Sequence, residues 1–321
     1  MNDQTGQEAT RRIAAFDVAR GLALIGMGVY HLSWDLAYFG LASESLPFSP
    51  GMRVLSHFVA SAFLGLAGVS LAIAHRFGPR WRAFLIRLLK IAGAAALVSL
   101  ASYFAAPDEP IWFGILHCIA AASLVAAPLL SAPPWAALLA GAAAIAAPRF
   151  LASAVFDPPA LLWLGLGTEP PFTLDWRPLL PWAGATLIGL GLTQLFLPRL
   201  VCGPLARWRP RASPGRALAF AGRHSLIIYL VHQPILFGFI YAVTHLTGVA
   251  ALKDRDRYIA ACRPACVEAG GEIEACKAAC ECVAAGAENA GLAASLTSRP
   301  VSEADRTRIG EILKACGSEA P

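Results

Sequence analysis

Charged residues are scarce in this 321-residue chain, since Asp, Glu, Lys and Arg together make up only 15% of it. Soluble domains carry about 25% charged residues, so the composition excludes an ordinary soluble domain. Hydrophobic residues account for 57% of the chain, and the mean hydropathy is +0.57. The sequence therefore predicts an integral membrane protein.

The few charges are unevenly distributed. Residues 1–251 contain 27 of the 47 charged residues with a net charge of +7, whereas the last 70 residues contain 20 with a net charge of −2. The basic residues cluster in short loops between apolar runs, so the overall charge of +5 does not indicate nucleic-acid binding. We predict a cytoplasmic N-terminal segment at 1–15, a transmembrane domain at 16–250 and a polar, cysteine-rich tail at 251–321.

Seven apolar runs are near the length of a membrane-spanning helix, which needs about 20 residues. The predicted spans are 17–39, 54–75, 83–105, 111–131, 133–148, 179–198 and 217–247. A further apolar segment, 158–167, is too short to cross and is expected to be re-entrant, interfacial or part of an eighth span. The predicted fold class is an all-α, polytopic helical membrane bundle with about seven spans, followed by a small Cys-rich helical hairpin.

The basic residues also predict the orientation, because cytoplasmic loops are enriched in Lys and Arg. The stretches 76–90 and 199–216 each contain five basic residues and no acid. Together with Arg11 and Arg12, they lie on one side of the membrane if there are seven spans. We therefore expect a cytoplasmic N-terminus and an external C-terminal tail.

Cysteine is nearly absent from the membrane domain but concentrated in the tail. Two motifs, "CRPAC" and "CKAAC", each place two cysteines four residues apart on one helical face, and a turn-prone "GGE" separates them. A hairpin of two such helices pairs Cys262 with Cys280 and Cys266 with Cys276. The remaining two cysteines of the six, Cys282 and Cys316, then pair with each other.

Two alternative interpretations are that these six cysteines bind zinc or that they are free thiols. The four-residue steps differ from the two-residue steps of zinc knuckles. An even number of cysteines in a polar segment is typical of disulfides in an oxidising compartment. Disulfides also agree with the external tail that the basic residues predict.

Ionisable residues occur inside the predicted spans, where they commonly mark function. Four histidines fall at one depth in helices that run in both directions: His31, His57, His117 and His232. One hydrogen bond to a neighbouring helix would explain any single histidine. Four at one depth, with Asp35 one turn after His31, favour a shared polar cavity.

Further polar residues are predicted on the same outer side. The motif "LDWRPLLPW" places Asp175, Arg177 and Trp182 at the entrance of the sixth span. Ordinary interfacial anchoring is the alternative explanation for the Trp and Arg. In the last span, Gln233 and Pro234 interrupt the helix, and the proline frees a backbone carbonyl for another partner.

Four motifs resemble, in order, the bacterial membrane proteins related to heparan-alpha-glucosaminide N-acetyltransferase. They are "RIAAFDVARGLALIGMGVYH", "FGILHCIA", "LDWRPLLPW" and "GRHSLIIYLVHQP", and the resemblance covers about residues 11–245. In the first motif, Arg20 and His31 form an Arg-x10-His spacing. This spacing is also similar to the opening helix of the O-antigen acetylase type of membrane acyltransferase.

The resemblance implies acyl transfer across a bacterial inner membrane. An acetyl or similar group would pass from cytoplasmic acetyl-CoA, or another acyl-CoA, to an amine or hydroxyl of a glycan or glycolipid at the periplasmic side. The histidine proposed as catalytic in the acetylase family corresponds to His31. The expected partners are the lipid bilayer and this acceptor, without metal or nucleic acid. The sequence does not determine the oligomeric state, and a homodimer is one of the options.

The sequence departs from the eukaryotic lysosomal enzymes, whose proposed catalytic histidine lies in the loop after the first helix. The matching stretch here, 39–52, contains no histidine. The role therefore falls to His31 or His57, or this branch uses different chemistry.

Histidine suits acyl transfer because its ordinary pKa lies near neutrality. We assign His31 as the base or transient acyl carrier, and Asp35, on the same helical face, as the group that orients its ring. Arg20 and Asp17 are predicted to bind the donor, with Arg20 holding the phosphates of CoA. The alternative is that Arg20 and Asp17 form a structural ion pair with each other. Predicted substrate-binding residues are His57, His117, Asp175, Trp182, His232 and Gln233.

Two alternatives remain open, and in one of them the disulfide-bonded tail has a structural role and docks onto a periplasmic partner without catalysis of its own. A multi-span transporter or flippase would use the same layer of histidines and aspartate as a polar relay. Inverted internal repeats would favour a transporter, and none is evident in the sequence.

Overall fold

The computed structural model describes residues 13–247, 249–296 and 301–318, with the side chains of residues 250, 251 and 318 excepted. Arg11, Arg12 and most of the predicted segment 1–15 lie outside the described residues. Within them, regular structure is helical throughout, apart from one isolated parallel bridge between Phe113 and Trp176. The predicted all-α fold class is confirmed.

The chain divides into two compact units. The first comprises residues up to His31 together with Phe48–Gln233, and the second comprises Leu32–Pro47 with the chain from Pro234 onward. Helices α1 (Ala14–Tyr38) and α11 (Ser225–Leu246) each begin in the first unit and end in the second.

The other helices each belong to one unit. The first unit contains α2 (Pro50–Ala74), α3 (Trp81–Ala105), α4 (Ile115–Ala126), α5 (Pro134–Leu151), α6 (Pro159–Leu162), α7 (Leu179–Leu195), α8 (Leu197–Cys202), α9 (Pro204–Arg207) and α10 (Ser213–Arg223). The second contains α12 (Val249–Glu268), α13 (Ile273–Asn289) and α14 (Glu303–Ser318).

Four described helices are long and apolar enough to cross a membrane, namely α2, α3, α5 and α11. A fifth results if α7 and the segment Leu197–Arg207, bent by 75° relative to it, form one span. Helix α1 has 25 residues, but Asp17, Arg20 and Asp35 lower its hydropathy, and α4 is short. The predicted number of seven spans is therefore not confirmed.

The predicted helix over 217–247 is corrected, because two helices occupy this segment. Helix α10 ends at Arg223 and α11 begins at Ser225. Between them, His224 leaves the helical backbone conformation, and its Nδ1 donates to the carbonyl of Phe220 over 2.9 Å. Arg223, His224 and Ser225 interrupt the apolar sequence at this break.

Helix α7 forms the centre of the first unit, where it packs against α2 and α5. The close approach to α2 requires glycine, since a Cβ on Gly68 would meet the backbone carbonyl of Thr186. Thr186 is fully buried and its hydroxyl donates to the carbonyl of Leu64 over 3.1 Å. Buried Leu187 and Leu190 complete this face of α7.

In the second unit, α12 and α13 form the predicted hairpin. The disulfides Cys262–Cys280, Cys266–Cys276 and Cys282–Cys316 are all present, which confirms the predicted pairing. Two ion pairs join the same helices, Arg263–Glu281 and Arg255–Glu288. The hairpin turns at Gly270, whose φ of +95° is a conformation that favours glycine. The third disulfide attaches α14 to α13.

Each disulfide should stabilise the tail by an amount that increases with the length of the loop it closes. Chain-entropy arguments assign about 4 kcal/mol to a 34-residue loop and about 3 kcal/mol to a 10-residue loop. Cys282–Cys316 spans 34 residues and Cys266–Cys276 spans 10. We therefore expect the double Cys→Ser variant of Cys282 and Cys316 to lose more tail stability than that of Cys266 and Cys276.

Resistance of the tail to proteolysis in increasing urea measures this order. Cys202→Ser is the control, because Cys202 is an exposed free thiol in the first unit. Equal losses in the two double variants, or none, would contradict the entropic role.

Candidate active site

His31 of α1 and His232 of α11 meet in the first unit, although 200 residues separate them in sequence. Their ring centroids are 4.9 Å apart and the rings are inclined at 64°. The ring of Tyr229 lies 5.6 Å from that of His232, on the side of α11 one turn earlier. The structure thus brings together one predicted catalytic residue and one predicted substrate-binding residue.

The protonation pattern of His232 follows from its hydrogen bond. Nδ1 lies 2.6 Å from the carbonyl oxygen of Tyr229, and a carbonyl only accepts, so Nδ1 carries the hydrogen. In the neutral ring, Nε2 then holds the lone pair. This atom is buried and has no hydrogen-bond partner among the described residues. His232 therefore presents a hydrogen-bond acceptor that the protein does not use.

Asp35, the residue predicted to orient His31, lies one turn further along α1. It is only 3% exposed, which is unusual for an aspartate. It belongs to the second unit by packing, and its catalytic role stays a prediction. Gln233 follows His232 directly and is half-buried, immediately before Pro234 inside α11.

Asp175 stabilises the start of α4. Its Oδ2 accepts a hydrogen bond from the backbone N–H of Ile115 over 2.9 Å, where a negative charge complements the helix dipole. The neighbouring Arg177 donates its backbone N–H to the carbonyl of Phe113 over 3.1 Å. Gly114 is required at this junction, because a Cβ there would lie 2.6 Å from the Asp175 carboxylate. This contact fixes the loop that carries Asp175 and Arg177.

His117 has hydrogen bonds at both ring nitrogens. Nδ1 accepts from the backbone N–H of Gly114 over 3.2 Å, and Nε2 lies 3.3 Å from the hydroxyl of Ser99. That hydroxyl donates to the carbonyl of Ile111 over 2.6 Å, so it accepts from His117. Both nitrogens of His117 thus have partners within the protein, and its role in substrate binding stays a prediction.

His57, Trp182 and Arg177 form a stacked group. The rings of His57 and Trp182 are 5.4 Å apart and inclined at 34°, and the guanidinium carbon of Arg177 lies 5.0 Å from the Trp182 ring. Arg177 also donates to the hydroxyl of buried Ser56 over 2.5 Å. It forms no ion pair with any residue in the described part of the chain.

Sequence reasoning ranked Trp182 and His57 as site residues but placed Arg177 only at the entrance and did not single out Ser56. The signal for Arg177 was an arginine between two tryptophans in "DWRPLLPW". Ser56 carries no signal in the sequence, because nothing in an apolar helix distinguishes one serine from another.

Asp17 and Arg20 form the ion pair that the sequence left as an alternative. Arg20 Nη1 lies 2.8 Å from Asp17 Oδ1, and Nη2 contacts the hydroxyl of Ser70 on α2. The backbone of α10 packs directly against this turn, since a Cβ on Gly222 would meet the carbonyl of Asp17. On α3, Arg87 has no hydrogen bond or ion pair within the described residues.

The chain matches a family model described as "Heparan-alpha-glucosaminide N-acetyltransferase, catalytic" over residues 12–234. This is more than half of the chain and includes every residue discussed in this subsection. The chain belongs to this family. It is therefore a membrane acetyltransferase, as the four sequence motifs implied.

Other comparisons add no relatives. No curated protein and no solved structure matches the chain. The family match ends at Pro234, one residue after the first unit ends. The disulfide-bonded tail lies beyond it.

The role of Asp175 at the start of α4 has a measurable consequence. Asp175→Ala removes both the acceptor for the Ile115 N–H and the charge at the helix N-terminus, so we expect a loss of about 1–2 kcal/mol in stability. Asp175→Asn retains an acceptor and should lose less. Thermal unfolding in detergent measures both variants.

Asp157→Ala is the matched control for this prediction. Asp157 is also a loop aspartate that accepts from a backbone N–H, that of Thr168, but it caps no long helix. Two hydrogen bonds from Thr168 lower the pKa of its carboxyl. An Asp175→Ala variant as stable as the wild type would contradict the proposed cap.

Proposed function

We propose that this acetyltransferase moves an acetyl or similar acyl group from acyl-CoA to an amine or hydroxyl of a glycan or glycolipid. Family membership supports the reaction class. The observation that carries the site is the pair His31 and His232, two imidazole rings 4.9 Å apart between α1 and α11. Imidazole is the base best suited to this transfer near neutral pH.

The chemistry requires one proton transfer. The acceptor nitrogen or oxygen attacks the thioester carbonyl, a C–N or C–O bond forms, and the C–S bond breaks. His31 takes the proton from the acceptor and returns it to the departing thiolate, so that CoA leaves as a thiol. Direct transfer needs only one base, whereas an acyl-histidine intermediate needs a second attack on the same ring.

The donor phosphates would bind near the beginning of α1. Arg20 lies eleven residues before His31, roughly 16 Å along the helix at 1.5 Å per residue. Arg20 is paired with Asp17, whereas Arg87 is a cation without an acidic partner among the described residues. We infer that Arg87 joins Arg20 in attracting the polyanionic donor.

The acceptor would enter past the stacked group of His57, Trp182 and Arg177. The guanidinium of Arg177 is held by Trp182 and Ser56, and no carboxylate of the described residues forms an ion pair with it. A guanidinium without a counter-ion is suited to hydroxyl and carboxylate oxygens of a sugar. Asp175 would contribute by fixing the loop that carries Arg177.

The transfer assay is the direct test. Purified protein in nanodiscs would receive acetyl-CoA labelled in the acetyl group, with glucosamine as the acceptor amine. We expect label on the acceptor with the wild type and a decrease of about 10²-fold or more with His31→Asn, because the base is lost. His245→Asn is the control, since its ring packs on Tyr241 and it is not among the residues assigned to the site.

Absence of CoA-dependent labelling with the wild type, for acetyl and longer acyl donors alike, would contradict the proposed function. Movement of a labelled sugar across vesicles without acyl transfer would instead support a transporter or flippase.

We further propose that the tail lies in the periplasm and the N-terminus in the cytoplasm of a bacterial inner membrane. Three disulfides in a polar segment support this, because such bonds persist in oxidising compartments. The basic loops at 76–90 and 199–216 support the cytoplasmic side.

A reporter fusion tests this orientation. Alkaline phosphatase requires an oxidising compartment, so a fusion after the tail should be active. A fusion within 76–90 should be inactive and serves as the control. The opposite pattern would contradict the orientation.

A further inference from the structure

His232 lies against His31, as the orienting residue of a catalytic triad lies against the catalytic histidine. In a histidine-based catalytic site, a third group accepts the N–H on the far side of the base and thereby fixes the tautomer. Asp35 was predicted for this function from its position on α1. The ring that the structure places against His31, however, is that of His232.

Three features of His232 suit it to this function. Its Nδ1–H is committed to the carbonyl of Tyr229 over 2.6 Å, which prevents the ring from changing tautomer. Its Nε2 is therefore an acceptor, and this atom is buried without a partner among the described residues. A buried acceptor without a partner costs free energy, so a donor is expected to reach it at some stage of the reaction.

The distance allows the ring of His31 to supply that donor. Facing nitrogens of two rings with centroids 4.9 Å apart reach hydrogen-bonding distance after a rotation of the His31 ring. Catalytic hydrogen bonds are often long in the absence of substrate and shorten when it binds.

We propose that His232 is a positioning residue that accepts the N–H of His31 at its Nε2 during acyl transfer. This hydrogen bond leaves the other nitrogen of His31 unprotonated and directed at the acceptor nucleophile. When His31 takes the acceptor proton, His232 stabilises the resulting imidazolium, and the proton then passes from His31 to the thiolate. The inference rests on the proposed function, since it specifies how the base of that reaction is held.

Two substitutions separate this role from a merely structural one. His232→Asn places an amide N–H near the position of Nδ1, so it retains the bond to Tyr229 but has no acceptor at the position of Nε2. His232→Gln places its amide oxygen near Nε2 and weakens the bond to Tyr229. A positioning role predicts that the Gln variant is the more active, whereas a structural role predicts the reverse.

The measurement is kcat and KM for acetyl-CoA with glucosamine. We expect His232→Asn to lower kcat by about 10²- to 10⁴-fold without a matching increase in KM, because donor binding is unaffected. We expect His232→Gln to retain activity within about tenfold of the wild type, since its oxygen accepts the His31 N–H.

His75 offers a matched control. Its Nδ1 also bonds to a carbonyl, that of Leu71 over 2.8 Å, and its Nε2 is also buried without a partner in the described chain. Its ring packs on Phe84 and not on a histidine. Both His75→Asn and His75→Gln should retain the wild-type kcat.

Three results would overturn the inference while the proposed function stands. They are a wild-type kcat for His232→Asn, an Asn variant more active than the Gln variant, and equal loss in both variants with intact elution from a sizing column. A wild type without any acyl transfer would instead contradict the proposed function itself, and the positioning role with it.

Discussion

The contact between the rings of His31 and His232 joins the first and last helices of the family domain. Polar groups in an apolar bundle cost several kcal/mol each unless they are paired or hydrated, so two histidines facing each other inside such helices indicate a maintained polar site. The rest of the first unit supports this contact. Helix α7 forms the core against α2 and α5, and the start of α1 packs closely on α10 at Gly222, while Arg20 bonds to Ser70 of α2. The positions of α1 and α11 decide whether the two rings meet.

Much of the architecture could be predicted from composition and periodicity. The scarcity of charge indicated a helical membrane protein, and the four-residue spacing of the tail cysteines predicted two of the disulfides, because residues four apart share a helical face. The third followed from the two cysteines that remained. The number of spans could not be predicted in the same way. Polar residues in α1 lower the hydropathy of a helix that has the length to span, and the segment predicted as one span over 217–247 is divided at His224 into α10 and α11.

The site was predicted in part. His31 and His232 were both named from the sequence, but only the packing of α1 with α11 shows that they form a pair. The depth argument grouped His57 and His117 with them. Instead, His57 stacks on Trp182, and His117 bonds to Gly114 and Ser99. Depth along a helix gives one coordinate, whereas the direction of a side chain depends on the rotation of each helix, which hydropathy does not encode.

A double-variant cycle on His31 and His232 tests most directly whether the two residues act as one unit. Acetyl transfer is measured for the wild type, His31→Asn, His232→Asn and the double variant. Residues that act through each other are strongly non-additive, so the double variant should be no slower than His31→Asn alone. Rate losses that multiply in the double variant would show independent action and would contradict a shared site between α1 and α11.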